Sequence, residues 1–391
     1  MERFQVTAFT ATCAAGTGTT ELLDALRGAR TGLRPNDFTH TPLPTWVGRV
    51  AAVEGAPLPV SFAEYECRNN RLAWLAILQD GFADAVLSAR RRHGDDRVAL
   101  VLGTSTSSIG ATEEAYSRLT SDRQFPADLR RPVVHVPHST AQFLEHALGL
   151  RNVAITVATA CSSSAKAFAQ GARLLDHGIA DAVVVGGVDS LCGSVLYGFN
   201  SLELVSGDPC RPFDAHRNGI NVGEAAAFAL LERNGPGPVL LGFGESSDAH
   251  HMSAPHPSGR GASLAMRAAL EAACVEPSAV DYLNLHGTAT LKNDEVEAQV
   301  VAQLFPAHTH ASSTKGWTGH TLGAAGALEA VIAMLTLRSG FMPGNLNSRR
   351  LDPACGPQVR LEGAIGRPRI VMSNSFGFGG SNCSLLFADA A

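Results

Sequence analysis

Short apolar runs alternate with longer helix-forming stretches along nearly the whole chain, and few fold classes satisfy that order. RVALVLG (97–103), NVAITVA (152–158), DAVVVGG (181–187), PVLLGFG (238–244), DYLNLHG (281–287) and IVMSNSFG (370–377) predict buried strands. Helices are predicted over 20–29, 68–92, 163–178, 261–274, 294–305 and 324–340. Strands alternating with helices imply α/β layering. In each half a helix lies between strands and a reactive-looking residue sits at a strand's end, which hints at duplication. RNGPGPV (233–239) is the weakest joint, so the expected division is 1–236 and 237–391. At 391 residues the chain is long enough for two lobes or one doubled domain.

Charge narrows the partners. A formal net charge of −5 supplies no broad positive field for phosphates, so a general nucleic-acid binder is not expected. No uninterrupted apolar run approaches the roughly 20 residues that span a bilayer. The opening MERFQVTAFTATCAAG lacks a basic leader region and predicts a first strand rather than a signal peptide. The eight cysteines are scattered without a CxxC pair, which suits reduced thiols and a cytoplasmic setting better than a disulfide frame or zinc site.

Four stretches carry the chemistry. In VATACSSSAKAF (157–168) an apolar strand runs into Cys161 at the start of a helix. A thiol there faces unpaired N–H groups and the positive dipole end, which stabilise thiolate and can receive an oxyanion. Taken singly, a cysteine is more often a core filler, but three serines rather than apolar residues follow this one. In LNLHGTATLKNDEVEA, His286 ends a strand, Thr288 and Thr290 alternate after it, and Asp294 and Glu297 open a helix. In STKGWTGHTLGAAGALEAV, Lys315 and His320 flank a glycine-containing loop; Glu329 lies where it can anchor Lys315 or a cation, and the small residues let a helix press close to a neighbour. In MSNSFGFGGSNCSLLF, Phe376 and Phe378 stand among glycines as a candidate gate. No P-loop, strand-borne GxGxxG or GxSxG is present.

Together, in this order, and with DPCRPFDAHRNG (208–219) and SSDAHHMSAPHPSG (246–259), these stretches resemble the β-ketoacyl-[acyl-carrier-protein] synthases of the thiolase superfamily. The likeness is to the elongating type with a Cys-His-His triad, and it covers nearly the whole chain. It implies a thiolase-like duplicated αβαβα layered fold, with the nucleophile in the half 1–236 and both catalytic histidines in 237–391. Cys161 would accept the acyl chain, and His286 and His320 would serve decarboxylation, accompanied by Lys315 and supported by Glu297 and Glu329. Thr288 and Thr290 would bind the pantetheine arm. Phe376 would be the gate whose backbone N–H joins that of Cys161 in the oxyanion hole. No cofactor or metal is implied. The implied partners are an acyl carrier protein and a second subunit, either an identical copy or a related ketosynthase-like chain. Arg68 and Arg71 are candidates for a basic rim facing the acidic carrier.

A histidine in GHTLGAAG separates the chain from relatives with Cys-His-Cys or Cys-His-Asn triads, and Cys161 separates it from partner subunits that lack the nucleophile. A noncatalytic chain-length-factor-like subunit keeping the triad as a relic is the alternative. Three departures bear on substrate. RNGI places Asn218 and Ile220 where the family usually has an acid and an aromatic; Thr106 falls where a bulky apolar residue often lines the acyl pocket; and VTAFTAT replaces a glycine-rich opening strand. These point to a specialised pathway, such as polyene or other polyketide chains.

Overall fold

The computed structural model describes residues 3–39 and 42–389. Its central sheet runs Ala154–Val157, Val98–Gly103, Ala182–Asp189, Ala225–Glu232 and Phe4–Cys13, then Val239–Ser247, Ser381–Ala388, Ile370–Gly377, Tyr282–Asn284 and His310–Ser312. The halves have the same topology. In each, the first strand pairs antiparallel with the last, the last pairs antiparallel with a third, and two parallel strands follow outward. Their strands join into one sheet through Phe4 opposite Leu240 and Gln5 opposite Val239. The duplication hinted at by the strand order is therefore written in the pairing pattern.

Two helices, Ser163–Asp176 and Ala325–Ser339, lie between the halves. Arg68–Ile77, Phe82–His93 and Ser139–Leu148 cover the outer face of the first half; Arg260–Ala273 and Leu291–Leu304 cover the second. That is the five-layer α/β arrangement expected from the sequence. Strand side chains alternate between layers: Ala99 and Val101 face the central helices, whereas Val98, Leu100 and Leu102 face the outer ones. With both faces covered, the strands read as continuous apolar runs. Leu322–Ser339 is the one described stretch long and apolar enough to cross a membrane, and it is this central, buried segment. All eight cysteines are unpaired.

The structure corrects several predicted elements. The single helix over 68–92 is two helices bent by 74°, because Asp80 and Gly81 adopt φ of 54° and 69°. Asp80 stays there because its carboxylate accepts the hydroxyls of Thr10 at 2.7 Å and Thr19 at 2.6 Å. Over Ala225–Glu232, where no element is predicted, AAAFALLE is composed of good helix formers yet is a central strand, held on both sides by ladders. The strand over 281–287 stops at Asn284, leaving His286 on the turn beyond.

The small residues after His320 do allow close packing. A Cβ on Gly326 would lie 2.6 Å from the Ala165 nitrogen and 2.9 Å from Ser375 Oγ. Gly326→Ala is therefore expected to destabilise by about 1–3 kcal/mol through overpacking. The urea midpoint reads the sign; a raised midpoint would remove this account of the helix contact.

Candidate active site

Cys161 sits on the turn between Ala154–Val157 and the N-cap Ser162 of the central helix. Ala160 is held at φ 51°, an observed backbone strain that surrounding bonds must sustain. The serines supply them. Ser163 Oγ donates to the Ala160 carbonyl at 2.5 Å and accepts the Thr159 N–H at 2.9 Å, and Ser162 Oγ donates to the Thr159 carbonyl at 2.9 Å. Ser164 Oγ accepts the Ala327 N–H at 2.8 Å, which ties the nucleophile's helix to its central neighbour.

The sulfur lies 2.9 Å from His320 Nε2. Cys161, His286 and His320 each bring a ligand-type atom within 4.8 Å of the other two, and the imidazoles meet edge to face at 5.4 Å. Each histidine is positioned by its backbone. The His286 and Gly287 N–H groups donate to the two Glu297 oxygens at 2.9 and 2.8 Å, and Asn374 Nδ2 donates to the same carboxylate at 3.3 Å. Asp294 accepts the Ala289 N–H at 3.1 Å and the Phe213 N–H at 2.8 Å, which fixes the rest of that loop. The His320 N–H donates to the Asn221 carbonyl at 2.7 Å. Lys315, only 1% exposed, donates to the His286 carbonyl and Glu329, with Nζ 3.5 Å from His286 Nδ1. Glu329 is thus the lysine's anchor.

Burial and then the Lys315 charge hold both histidines well below their ordinary 6.5. Both imidazoles are neutral at pH 7, each with one N–H to give. Burial also pushes Glu297 and Glu329 up to about 7, against the pull of the Gly287 N–H on one and the Lys315 charge on the other. The expectation of a thiolate made by the helix terminus alone is not met. Burial drives the Cys161 thiol up to about 11, and the Lys315 charge and Phe378 N–H only partly offset it. The proton therefore needs an acceptor, and His320 Nε2 is within reach. The Cys-His-His atoms also suit a soft metal ion in ligand type, but the Lys315 ammonium beside His286 repels a dication.

A cavity of about 560 Å³ opens onto this cluster. Thr288 and Thr290 line it with hydroxyls 2.9 Å apart, and Ile220, Phe376 and Phe378 line it too. The Phe378 N–H pulls the Cys161 thiol down, and the Phe376 ring lies 6.0 Å from His286. Glycine at 377 lets this loop come close to the Cys161 turn, since a Cβ there would be 2.9 Å from the Thr159 carbonyl oxygen. Thr106 is not in the cavity wall, because its N–H and hydroxyl both donate to buried Asp189, at 3.0 and 2.9 Å.

Arg68 is also corrected as a carrier contact: it is spent on buried Glu224, at 2.6 Å, and on Glu54. Arg71 pairs with Glu66. Residues the sequence did not single out include Asn374, which braces Glu297, and Phe199, whose ring lies 6.5 Å from His320 and 5.6 Å from Phe378. Asn374 stands two residues before Phe376 in a quoted stretch but without a role read for it, whereas Phe199 lies outside all four stretches and only the fold brings it here.

Residues 68–235 match the family model for the β-ketoacyl synthase N-terminal domain, and residues 238–349 the model for its C-terminal domain. The chain belongs to the β-ketoacyl synthase family. Among curated relatives, nodulation protein E of Rhizobium meliloti (strain 1021) is 32% identical over 404 residues, 98% of each chain. The mitochondrial 3-oxoacyl-[acyl-carrier-protein] synthase of Arabidopsis thaliana is 38% identical over 253 residues, 59% of this chain and 55% of that one. A solved ketosynthase in complex with its chain length factor, from Xenorhabdus doucetiae, aligns over 100% of this chain and 98% of its own at 37% identity and TM-score 0.92. The ishigamide ketosynthase/chain length factor structure aligns over 100% of both chains at 26% identity and TM-score 0.89.

Proposed function

We propose that this chain is a catalytically competent ketosynthase. It takes an acyl chain onto Cys161 and condenses it with malonyl-[acyl-carrier protein], adding two carbons. The observation that carries this reading is the Cys161 sulfur 2.9 Å from His320 Nε2, with neutral His286 beside them. In the first half-reaction Cys161 gives up its proton and attacks the carrier thioester. The tetrahedral oxyanion accepts the N–H groups of Cys161 and Phe378, and the carrier thiol leaves with the proton. In the second, malonyl carrier loses CO2. The enolate oxygen accepts N–H donors from His286 and His320, its carbon attacks the acyl carbonyl, and the Cys161 thiolate leaves and is reprotonated from solvent. Thr288 and Thr290 would hold the pantetheine arm. No step requires a cofactor.

The chain-length-factor-like alternative is disfavoured by a thiol this close to its proton acceptor. Pairing with a related ketosynthase-like subunit is supported by the two solved relatives that are such complexes. A half-buried sheet edge at Ala154–Val157, which no other described strand covers, also suits such a contact. Ile220 in the wall, in place of an aromatic, supports a polyketide or polyene chain over a housekeeping fatty acid.

Iodoacetamide is expected to label Cys161 with a rate that rises roughly tenfold per pH unit across the neutral and mildly alkaline range, as for a thiol well below its pKa. In a reconstituted reaction, CO2 release from malonyl carrier should accompany carrier-bound products two carbons longer, seen by mass spectrometry. Labelling without CO2 release or extension would establish the noncatalytic alternative.

A further inference from the structure

The strands Tyr282–Asn284 and His310–Ser312 run toward His286 and Lys315, and a separate cavity of about 420 Å³ opens at their starts. It shares no lining residue with the Cys161 cavity, and its size lies within the roughly 300–1,000 Å³ of small-molecule sites. The chemistry above does not use it.

Its floor is Asp281 and His310, and backbone bonds fix both. The His310 N–H donates to the Asp281 carbonyl at 2.9 Å, and the Arg360 N–H to the Ala311 carbonyl at 2.9 Å. The Arg369 and Ile370 N–H groups donate to Asp281 Oδ2 at 2.7 and 3.1 Å and leave Oδ1 open. His310 is buried, with its ring against Tyr282 and Nε2 2.8 Å from the Pro343 carbonyl oxygen. A carbonyl only accepts, so Nε2 carries the ring proton. Burial, reinforced by the Arg360 charge, holds this imidazole below its ordinary 6.5 against the pull of the Pro343 carbonyl. Nδ1 is therefore a bare acceptor at pH 7. It has no partner among the described residues and is not sealed from the cavity.

The walls carry charges of both signs. Arg360 gives one guanidinium N–H to the Ala307 carbonyl at 2.9 Å and makes no ion pair among the described residues. Arg367 and Glu362 are exposed, line the same cavity, and make no hydrogen bond or ion pair among the described residues. The exposed His308 is turned to the Ser278 carbonyl at 3.1 Å. Met342, Ala364 and Pro368 complete the lining with apolar surface. Guanidiniums and carboxylates thus share one cavity without neutralising each other. A simple anion would be repelled by Asp281 and Glu362, and a simple cation by the two arginines. A ligand carrying both charges meets each with its opposite.

We propose that this cavity is a binding site for a free α-amino acid with an apolar side chain. Arg360 and Arg367 take its carboxylate. Asp281, His310 and Glu362 take its ammonium, whose three N–H donors match those three acceptors. Its side chain lies on Met342, Ala364 and Pro368.

Isothermal titration calorimetry of the full chain with L-leucine, L-methionine and L-phenylalanine tests this. At least one should bind saturably. Its N-acetyl and amide forms, which lack the ammonium and the carboxylate respectively, should bind roughly tenfold or more weakly, the loss of one charge-assisted contact. Arg367→Gln and Glu362→Gln should each weaken the same amino acid by a similar factor. Both side chains are exposed and unpaired, so the fold should stand, and an unchanged rate of Cys161 labelling by iodoacetamide checks it. No saturable binding by any of these amino acids at millimolar concentration overturns the proposal. So does equal binding of the blocked forms or of inorganic phosphate, or a wild-type affinity in either variant.

Discussion

Lys315→Met is expected to cost both stability and activity, and its pH dependence separates the two losses. The ammonium is buried and donates to Glu329 and the His286 carbonyl. Breaking a buried pair by removing one partner typically costs about 3–5 kcal/mol, because the remaining charge is left unpaired. Glu329 already stands at about 7 through burial, with the lysine charge pulling it down; without that charge its carboxyl rises further. A carboxyl whose folded pKa exceeds its unfolded value stabilises fully below the unfolded value, and that contribution is lost as pH rises through the folded one. The thermal-stability deficit of Lys315→Met should therefore be smaller in mildly acid buffer than in mildly alkaline buffer. Adding Glu329→Gln should recover much of the stability and flatten the pH dependence without restoring turnover. In the single variant the histidines lose the charge that holds them down, so the acid limb of condensation should move to higher pH. A deficit independent of pH, with an unmoved acid limb, would refute this role for the lysine.

His286→Ala and His320→Ala should each lower condensation by about 10²–10³-fold, the usual effect of deleting one donor to a developing oxyanion. They should differ in the first half-reaction. His320 Nε2 is the group 2.9 Å from the sulfur, so His320→Ala should slow both acylation and condensation. His286 touches the cluster through His320 and Phe376, so His286→Ala should slow condensation far more than acylation. Single-turnover acylation of Cys161, followed by intact-protein mass spectrometry, distinguishes them. Equal acylation rates in both variants would remove His320 as the proton acceptor. Both losses should appear without a large fall in stability, because the rings accept little of the hydrogen bonding that holds their backbones.

Glu297 shows why a side chain's identity was easier to foresee than its task. Its place in an acidic helix start is visible in the sequence, and the family resemblance implies a supporting carboxylate without saying what it holds. In the fold it turns back to bind the N–H groups of His286 and Gly287. The triple serine after Cys161 is similar: its polarity was visible, but its work of holding Ala160 in a left-handed conformation depends on three atoms meeting at one turn. Phe376 and Phe378 are two residues apart in a glycine-rich string, and nothing in that string says which amide faces the sulfur. Thr106 and Arg68 looked available from their neighbours in sequence. Asp189 and Glu224, distant in the chain, had already claimed them.

What the sequence by itself determined is the set of layers and the cast of reactive groups. Continuous apolar strands separated by helices specify a sheet covered on both faces. A cysteine at a helix start, two histidines and a lysine at fixed order specify a family, because each must stand at the end of a particular element. What only the tertiary structure decided is protonation and reach. Burial of Cys161 lifts its thiol, burial and Lys315 keep the histidines neutral, and Asp189 withdraws Thr106 from the cavity. Those outcomes depend on desolvation and on distances of a few ångströms between segments remote in the chain, quantities that local sequence pattern does not encode.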